Sequence, residues 1–180
     1  RTAQLSVAGA LGAIPVVDTL RLEAPGLTAS GGVALNPGGT LERVRFDTLK
    51  VGGWLNAPVD ILGQGAGKPV QIALRGGSVD LRAMGDASGG GGGNTSASAG
   101  PPMQVRLDRL QITDTIALTD LQGSFGTAGG LDGAFRARMN GGTAVEGRVV
   151  PQAGRSAVRL ISSDAGGVLR SAGLLKQIEG

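Results

Sequence analysis

The side chains that could perform chemistry in this chain are mainly carboxylates, because the sequence contains neither His nor Cys. That composition excludes a Ser-His-Asp triad, a Cys nucleophile and the usual His or Cys zinc sites. The 14 Asp and Glu residues could in principle supply the carboxylate pair of a glycan hydrolase. Three of them recur in the same local setting and are the obvious candidates: Asp18, Asp47 and Asp108.

That setting is a repeated pattern of the form apolar–Asp–x–Leu–x–apolar. It occurs as VDTLRL at 17–22, FDTLKV at 46–51 and LDRLQI at 107–112, with a degraded copy, VDL, at 79–81. Counting that copy, successive aspartates are 29, 33 and 28 residues apart. A period of about 30 residues is too short for a compact domain and predicts a two- or three-stranded unit repeated along an extended array.

The elements that position these aspartates have the pattern of bent strands. Before Asp47, Val44 and Phe46 alternate with charged residues, as in a half-buried strand, but the next apolar residues are Leu49 and Val51, one residue out of phase. Either a β-bulge keeps all the apolar side chains on one face, or the strand crosses a sheet corner. Both alternatives bend the strand, and a row of such bends predicts a sheet that curls into a trough.

The third full copy shows the same slip, since Val105 and Leu107 precede Asp108 whereas Leu110 and Ile112 follow it. A short polar side chain at a bulge can bond nearby backbone N–H groups. We therefore assign the three repeated aspartates to strand bends and not to catalysis.

Short alternating runs bounded by Gly, Pro and Asn predict an all-β, mainly antiparallel fold, organised as a curved, elongated, twisted sheet that forms a groove. The predicted strands are Val16–Ala24, Gly32–Leu35, Leu41–Val51, Val59–Leu62, Val70–Leu74, Val79–Ala83, Val105–Thr113, Ile116–Phe125, Ala134–Met139, Ala144–Val150 and Ala157–Ile161.

One segment, DASGGGGGNTSASAGPP at 86–102, has no apolar periodicity and is typical of a flexible loop or linker. It divides the chain into an N-terminal β-repeat part, 1–85, and a C-terminal β part, 103–180.

The C-terminal part ends in a helical pattern. Asp164 is a good N-cap, and a set of apolar residues falls on one helical face: Val168, Leu169, Ala172 and Leu175. We predict a short α-helix over about 164–177.

Composition limits the partners. The net charge is only +3, and three Phe and one Trp are the only aromatic residues, so nucleic-acid binding is disfavoured. We expect no enzymatic activity, no cofactor and no metal. The apolar stretch 5–17 is broken by Pro15 and too short to span a membrane, and it is typical of a strand and turn.

Several arginines alternate with apolar residues and are expected on a solvated polar face: Arg43, Arg45, Arg106, Arg136, Arg138 and Arg159. In the alternative interpretation some of them attract anionic lipid headgroups at the rim of the trough.

The C-terminal part resembles a known family. The segments LDRLQI, LTDLQGSF, LDGAF, EGRVVP and above all SSDAGGVLRSAGLLKQIEG (162–180) are similar to the C-terminal region of AsmA-like proteins, in particular the YhdP-type group. The resemblance covers about 103–180, whereas 1–85 shares only the β pattern and the Asp-x-Leu copies, and the long glycine insert departs from the family.

This resemblance implies a large protein anchored in the inner membrane of a Gram-negative envelope. Its periplasmic part would be a long curved sheet whose apolar trough carries phospholipid toward the outer membrane. The chain begins at Arg1 without Met, so we expect it to be part of a longer protein.

On this hypothesis the lipid-contacting residues are the apolar members of the bent strands: Val44, Phe46, Leu49, Val51, Val105, Leu107, Leu110 and Ile112. The same residues would equally form an ordinary closed core. Two other functions stay open: a structural or self-associating β-repeat module without a ligand, and, third, the carboxylate-dependent glycan hydrolase.

Overall fold

The computed structural model describes residues 2–10, 12, 16–87, 100–127, 130–152 and 155–171. Within these ranges the strands are β1 (Gln4–Ala10), β2 (Val16–Ala24), β3 (Leu27–Leu35), β4 (Leu41–Val51), β5 (Leu55–Leu62), β6 (Gln71–Arg75), β7 (Ser78–Asp80), β8 (Gly100–Gln111), β9 (Ala117–Thr127), β10 (Asp132–Met139), β11 (Ala144–Gln152) and β12 (Arg155–Ile161). The helices are α1 (Leu81–Ala87) and α2 (Ala165–Ser171).

All of these strands belong to one curved sheet that does not close into a barrel. The strand order is β1-β2-β3-β4-β5-β6-β8-β9-β10-β11-β12, with the short β7 between β5 and β8. The predicted all-β, mainly antiparallel, curved fold is confirmed. The parts predicted on either side of the Gly-rich segment, 1–85 and 103–180, contribute strands to the same continuous sheet.

Among the described strands, the pairing changes from antiparallel to parallel at one place, where the Gly-rich segment connects the two parts of the chain. β6 and β7 pair in parallel with β8, whereas the other neighbours are antiparallel. A parallel pair needs a crossover of a dozen residues or more, and residues 81–99 provide the length for it. The ends of the predicted loop 86–102 belong to α1, which extends to Ala87, and to β8, which begins at Gly100; residues 88–99 lie outside the described residues.

The phase slip in β4 is a β-bulge. Val44, Phe46, Leu49 and Val51 pair with Ile61, Val59, Ala57 and Leu55, four residues that alternate without interruption along β5. Because paired residues share a face, all four side chains of β4 lie on the same face of the sheet, and Asp47 and Thr48 together oppose one residue of β5. The sheet-corner alternative is therefore wrong for this strand.

Glycines of the neighbouring strands accommodate the bulges. Gly31 on β3 lies beside the bulge of β4, and a Cβ at this position would overlap the carbonyl oxygen of Arg45. In β2 the register shift falls at 18–19, opposite Gly32, where a Cβ would lie 2.9 Å from the carbonyl oxygen of Val17. Backbones that approach this closely leave no room for a side chain, which accounts for part of the high glycine content.

The predicted strand bounds differ from the structure at several places. β3, β5 and β8 begin four or five residues before their predicted starts, and in the run 79–83 the type of element also differs. The run 79–83 was expected to be a strand, but β7 ends at Asp80 and α1 begins at Leu81. The carboxylate Oδ1 of Asp80 accepts a hydrogen bond of 3.0 Å from the backbone N–H of Arg82, as an N-cap does. This cap ends the strand and begins the helix. The degraded copy of the repeat at 79–81 therefore forms the end of a strand and not a strand bend.

The predicted C-terminal helix is present as α2. Oδ1 of Asp164 accepts a hydrogen bond of 2.7 Å from the backbone N–H of Gly167, which confirms the predicted N-cap. Gly167 is buried, and a Cβ there would overlap Oδ2 of Asp164 and Oγ1 of Thr143, so this glycine is required for close packing. Residues 172–177 of the predicted helix lie outside the described residues.

Candidate functional site

A continuous apolar face crosses the whole sheet. Following paired residues from strand to strand gives one row that contains only apolar residues and glycine: Val7, Leu20, Gly31, Phe46, Val59, Leu74, Val105, Gly123, Phe135, Gly147 and Leu160. Each member is supplied by a different strand, because side chains of paired residues share a face. The apolar face is thus a property of the entire sheet.

The middle of this face is a packed core. The buried residues in contact with one another are Leu55, Ala57, Val79, Leu107, Leu118, Leu121, Ala137, Met139 and Val145. Trp54 and Val168 of α2 pack against this cluster. A flat single layer would leave such side chains open to water, so we attribute their burial to the curvature of the sheet together with these two side chains.

The eight predicted lipid-contacting residues divide between the core and its margin. Leu107 is 6% exposed and belongs to the core cluster, and four others pack against it while partly buried: Leu49, Val51, Val105 and Leu110. Val44 and Phe46 lie half-buried on the same face, further from the cluster. Ile112 follows the end of β8 and is 37% exposed.

Toward β1 the apolar face opens to solvent. Leu5 and Val7 of β1 are 65% and 55% exposed, although they pair with Leu22 and Leu20 of β2, which are half-buried. β3 and β4 continue this half-buried surface with Val33 and Val44 among others. We call the apolar face of β1–β3, together with Val44 and Phe46 of β4, the open apolar face.

The predicted lipid-contacting residues did not include four that lie on the open apolar face: Leu5, Val7, Leu20 and Leu22. A signal was present, because Leu5 and Val7 lie on either side of Ser6 with a period of two, and Leu20 and Leu22 belong to the first copy of the repeat. At the opposite end of the sheet Val158 and Leu160 of β12 are also exposed, at 58% and 46%.

The three repeated aspartates have different partners. Asp108 accepts a hydrogen bond of 2.7 Å from the backbone N–H of Gly77, which joins β8 to the turn between β6 and β7. Asp47 forms an exposed ion pair of 2.8 Å with Arg45 on its own strand. Asp18 lies at the register shift of β2.

The other face of the sheet is polar and carries the alternating arginines. Arg43 and Arg106 are exposed on this face, because the residues next to them on their strands, Val44 and Val105, point to the apolar face. The most buried charge on the polar face is Asp60, which is 9% exposed and forms an ion pair of 2.9 Å with Arg75.

A second cluster of charges surrounds the start of α1. Arg82 donates to both Asp80 and Asp114, at 2.6 Å and 2.5 Å. The hydrogen bond from Arg82 lowers the pKa of the Asp80 carboxyl from 3.8 to about 2. These contacts connect α1 to the turn after β8, since Asp114 lies in that turn.

Comparison with known proteins gives no match to a family model, a curated protein or a solved structure. Among the described residues, no helix is long and apolar enough to span a membrane. In the same part of the chain, no group of three or more acidic side chains is arranged to hold a metal ion.

Proposed function

We propose that this chain is a non-catalytic segment of an envelope lipid-transport protein, and that its open apolar face holds phospholipid acyl chains. The observation that carries the proposal is the apolar row, which takes one residue from each strand in the order β1-β2-β3-β4-β5-β6-β8-β9-β10-β11-β12. On β1–β4 the members of this row are half-buried or exposed. Soluble proteins rarely leave a contiguous apolar surface uncovered unless it binds something.

The physics of transfer favours acyl chains as the ligand. Each Å² of apolar surface removed from water stabilises the bound state by about 25 cal/mol, or about 0.8 kcal/mol for each buried CH₂. A face built from Val, Leu and Phe side chains offers no polar groups to pair, so a hydrocarbon chain loses no hydrogen bond on contact with it. No chemical step is required, because the lipid leaves unchanged.

The proposed ligand path is the open apolar face and not the packed core. Of the eight residues first predicted, Val44 and Phe46 belong to this path, and we add Leu5, Val7, Leu20 and Leu22. Leu107 and the four residues packed around the core cluster support the curvature of the sheet.

The resemblance to AsmA-like proteins supports the remaining parts of the proposal. The segment would function in the periplasm, as part of a longer chain anchored in the inner membrane, and would conduct phospholipid between the two membranes. Its partners would be a phospholipid and the rest of that chain, with no nucleic acid.

A pair of substitutions on β2 tests the proposal. Leu22→Gln places an amide on the open apolar face, whereas Arg21→Gln, the matched control, places the same amide on the polar face one residue away. We expect Leu22→Gln to weaken binding of a fluorescent phospholipid by about threefold to tenfold, because part of a Leu side chain's burial is lost. Equal binding by the two variants, each with wild-type stability, would show that the open apolar face is not the ligand path.

One observation favours a second function, self-association. β1 and β12 lie at the two ends of the sheet and pair on one side only among the described strands, and an unpaired edge is a template for another strand. In lipid-free protein, filaments that grow with protein concentration and are abolished by Val158→Lys would support this alternative. Monomeric protein at all concentrations would exclude it.

A further inference from the structure

A hollow of about 840 Å³ lies on the polar face, on the opposite side of the sheet from the open apolar face. It is lined by two rows of polar-face residues from β6, β8, β9, β10 and β11, and by the members of the apolar row that lie between these two rows on the same strands. One row carries charge, and the other is mostly small, with Ala73, Ser124 and Ala134 among its members. A twisted sheet is saddle-shaped, so it can be concave on both faces along different directions.

The charged row places arginines on nearly adjacent strands. Arg75 pairs with Arg106, Arg106 with Gln122, Gln122 with Arg136, and Arg136 with Glu146. Arg148, two residues beyond Glu146, lines the hollow from the second row. The walls therefore hold four guanidinium groups against one carboxylate.

Most of these guanidinium groups have no protein counter-ion. Arg75 is neutralised by Asp60, at 2.9 Å. Among the described residues, none forms an ion pair or a hydrogen bond with the side chains of Arg106, Arg136 or Arg148. The hollow therefore carries positive charge that has no ion-paired partner among the described residues.

The geometry points to a binding site for a ligand that carries two or more phosphate groups. Guanidinium groups bind phosphate oxygens through paired N–H donors, and a concave surface of one sign concentrates an oppositely charged ligand. Arg106 and Arg136 are separated by one strand, so their backbones are about 10 Å apart. That separation suits several phosphates along one molecule better than a single ion, and Gln122 between them supplies a further donor.

This site is independent of the acyl-chain path, because it lies on the other face of the sheet. Phe135 is the one aromatic residue among the described residues that line the hollow, and its side chain belongs to the apolar row and not to the arginine rows. The arginines therefore have no stacking surface beside them, which favours a phosphate ligand without nucleobases. The phosphates could belong to a soluble polyphosphate or to an anionic lipid headgroup. Both sources present the same chemistry to the arginines.

The test measures binding of inorganic triphosphate by titration calorimetry at low ionic strength. We expect the double variant Arg106→Gln/Arg136→Gln to bind at least about tenfold more weakly than the wild type, since it loses two charge-assisted contacts. Arg43→Gln is the control, because Arg43 lies on the same polar face outside the hollow and forms no ion pair with any residue in the described part of the chain. Glu146→Gln removes the one carboxylate among the described residues that line the hollow, and it should strengthen binding severalfold.

A vesicle arm distinguishes the source of the phosphate. Sedimentation with cardiolipin vesicles, whose lipid carries two phosphates in each headgroup, and with phosphatidylcholine vesicles as the reference, shows whether a lipid headgroup reaches the hollow. Binding of either probe that is weakened by the double variant and not by Arg43→Gln supports the site. Thermal denaturation first establishes that all variants are folded. The proposal is then wrong if the double variant and Arg43→Gln bind both probes equally well, or if Glu146→Gln weakens binding.

Discussion

Gly31 lies on β3 beside the bulge of β4, where the backbone of Arg45 leaves no space for a side chain. Replacement by Ala forces the two strands apart or flattens the bulge. We expect Gly31→Ala to lower the free energy of unfolding by roughly 1–3 kcal/mol, the usual cost of overpacking. Urea denaturation followed by circular dichroism measures this change.

The control for this substitution is Gly38→Ala in the turn between β3 and β4. A Cβ at Gly38 would meet no atom within 4 Å, so its effect should stay within about 0.5 kcal/mol. If Gly31→Ala is as stable as this control, then close approach at the bulge does not explain the glycine.

Asp80 carries the clearest pH-dependent contribution to stability. Its pKa is lowered to about 2 in the folded chain by the hydrogen bond from Arg82, against an ordinary value of 3.8. A carboxyl with a lowered folded pKa stabilises the fold above its ordinary pKa, and this contribution is lost as the pH falls from about 4 to about 2.

The pH prediction can be checked with Asp80→Asn, which retains an N-cap side chain but cannot titrate. The denaturation midpoint of the wild type should fall more steeply between pH 4 and pH 2 than that of the variant. Parallel pH profiles for the two proteins would contradict the assigned role of this carboxylate.

At the scale of elements, Asp108 connects β8 to the turn that separates β6 from β7. Its carboxylate accepts the backbone N–H of Gly77, a residue with φ of +80° where a Cβ would lie 2.6 Å from the Cα of Ala57. The turn can connect β6 to β7, both of which pair in parallel with β8, only if Gly77 keeps this conformation. Asp108 therefore stabilises the place where β6 ends and β7 begins.

We expect Asp108→Ala to cost about 1–2 kcal/mol, because a charge-assisted hydrogen bond is lost and a backbone donor is left without it. The matched control is Asp47→Ala, which removes only an exposed ion pair and should cost less than about 1 kcal/mol. Thermal denaturation compares the two variants. If Asp47→Ala loses more stability than Asp108→Ala, the hydrogen bond from Gly77 to Asp108 is not the main contribution, and the repeated aspartates act through their strand bends alone.

The sequence predicted strand bounds well where Pro or Gly flanks the alternating run. β2 and β4 have the predicted bounds, Val16–Ala24 and Leu41–Val51, whereas β8 also contains a full copy of the repeat but begins at Gly100, five residues before the predicted start. The run 79–83 was misassigned because three alternating apolar residues fit a strand and a helix equally well, and the cap at Asp80 decided between them. The parallel pairing of β6 with β8 depends on the crossover formed by residues 81–99. No local sequence pattern indicates that this segment returns the chain to the edge of β6.

At the scale of the whole molecule, the sequence did not predict which part of the apolar face is a packed core and which part is open to solvent. Val44 and Val105 occupy equivalent positions, three residues before a repeated aspartate, yet Val105 packs against the core cluster and Val44 does not. The difference arises from the curvature of the sheet and from the contacts of Trp54 and Val168, which are long-range. Alternation therefore indicates which residues share the apolar face but not which of them are covered.

The central claim is that acyl chains lie on the open apolar face, and photo-crosslinking with a phospholipid that carries a diazirine in its acyl chain tests it most directly. Insertion sites mapped by mass spectrometry should fall on apolar-face residues of β1–β4, such as Val7, Leu20, Leu22 and Val44. The core residues Leu118 and Leu121, exposed by 2% and 4%, should remain unlabelled, as should Arg43 on the polar face. Insertion spread equally over both faces of the sheet, or confined to the polar face, would contradict the account.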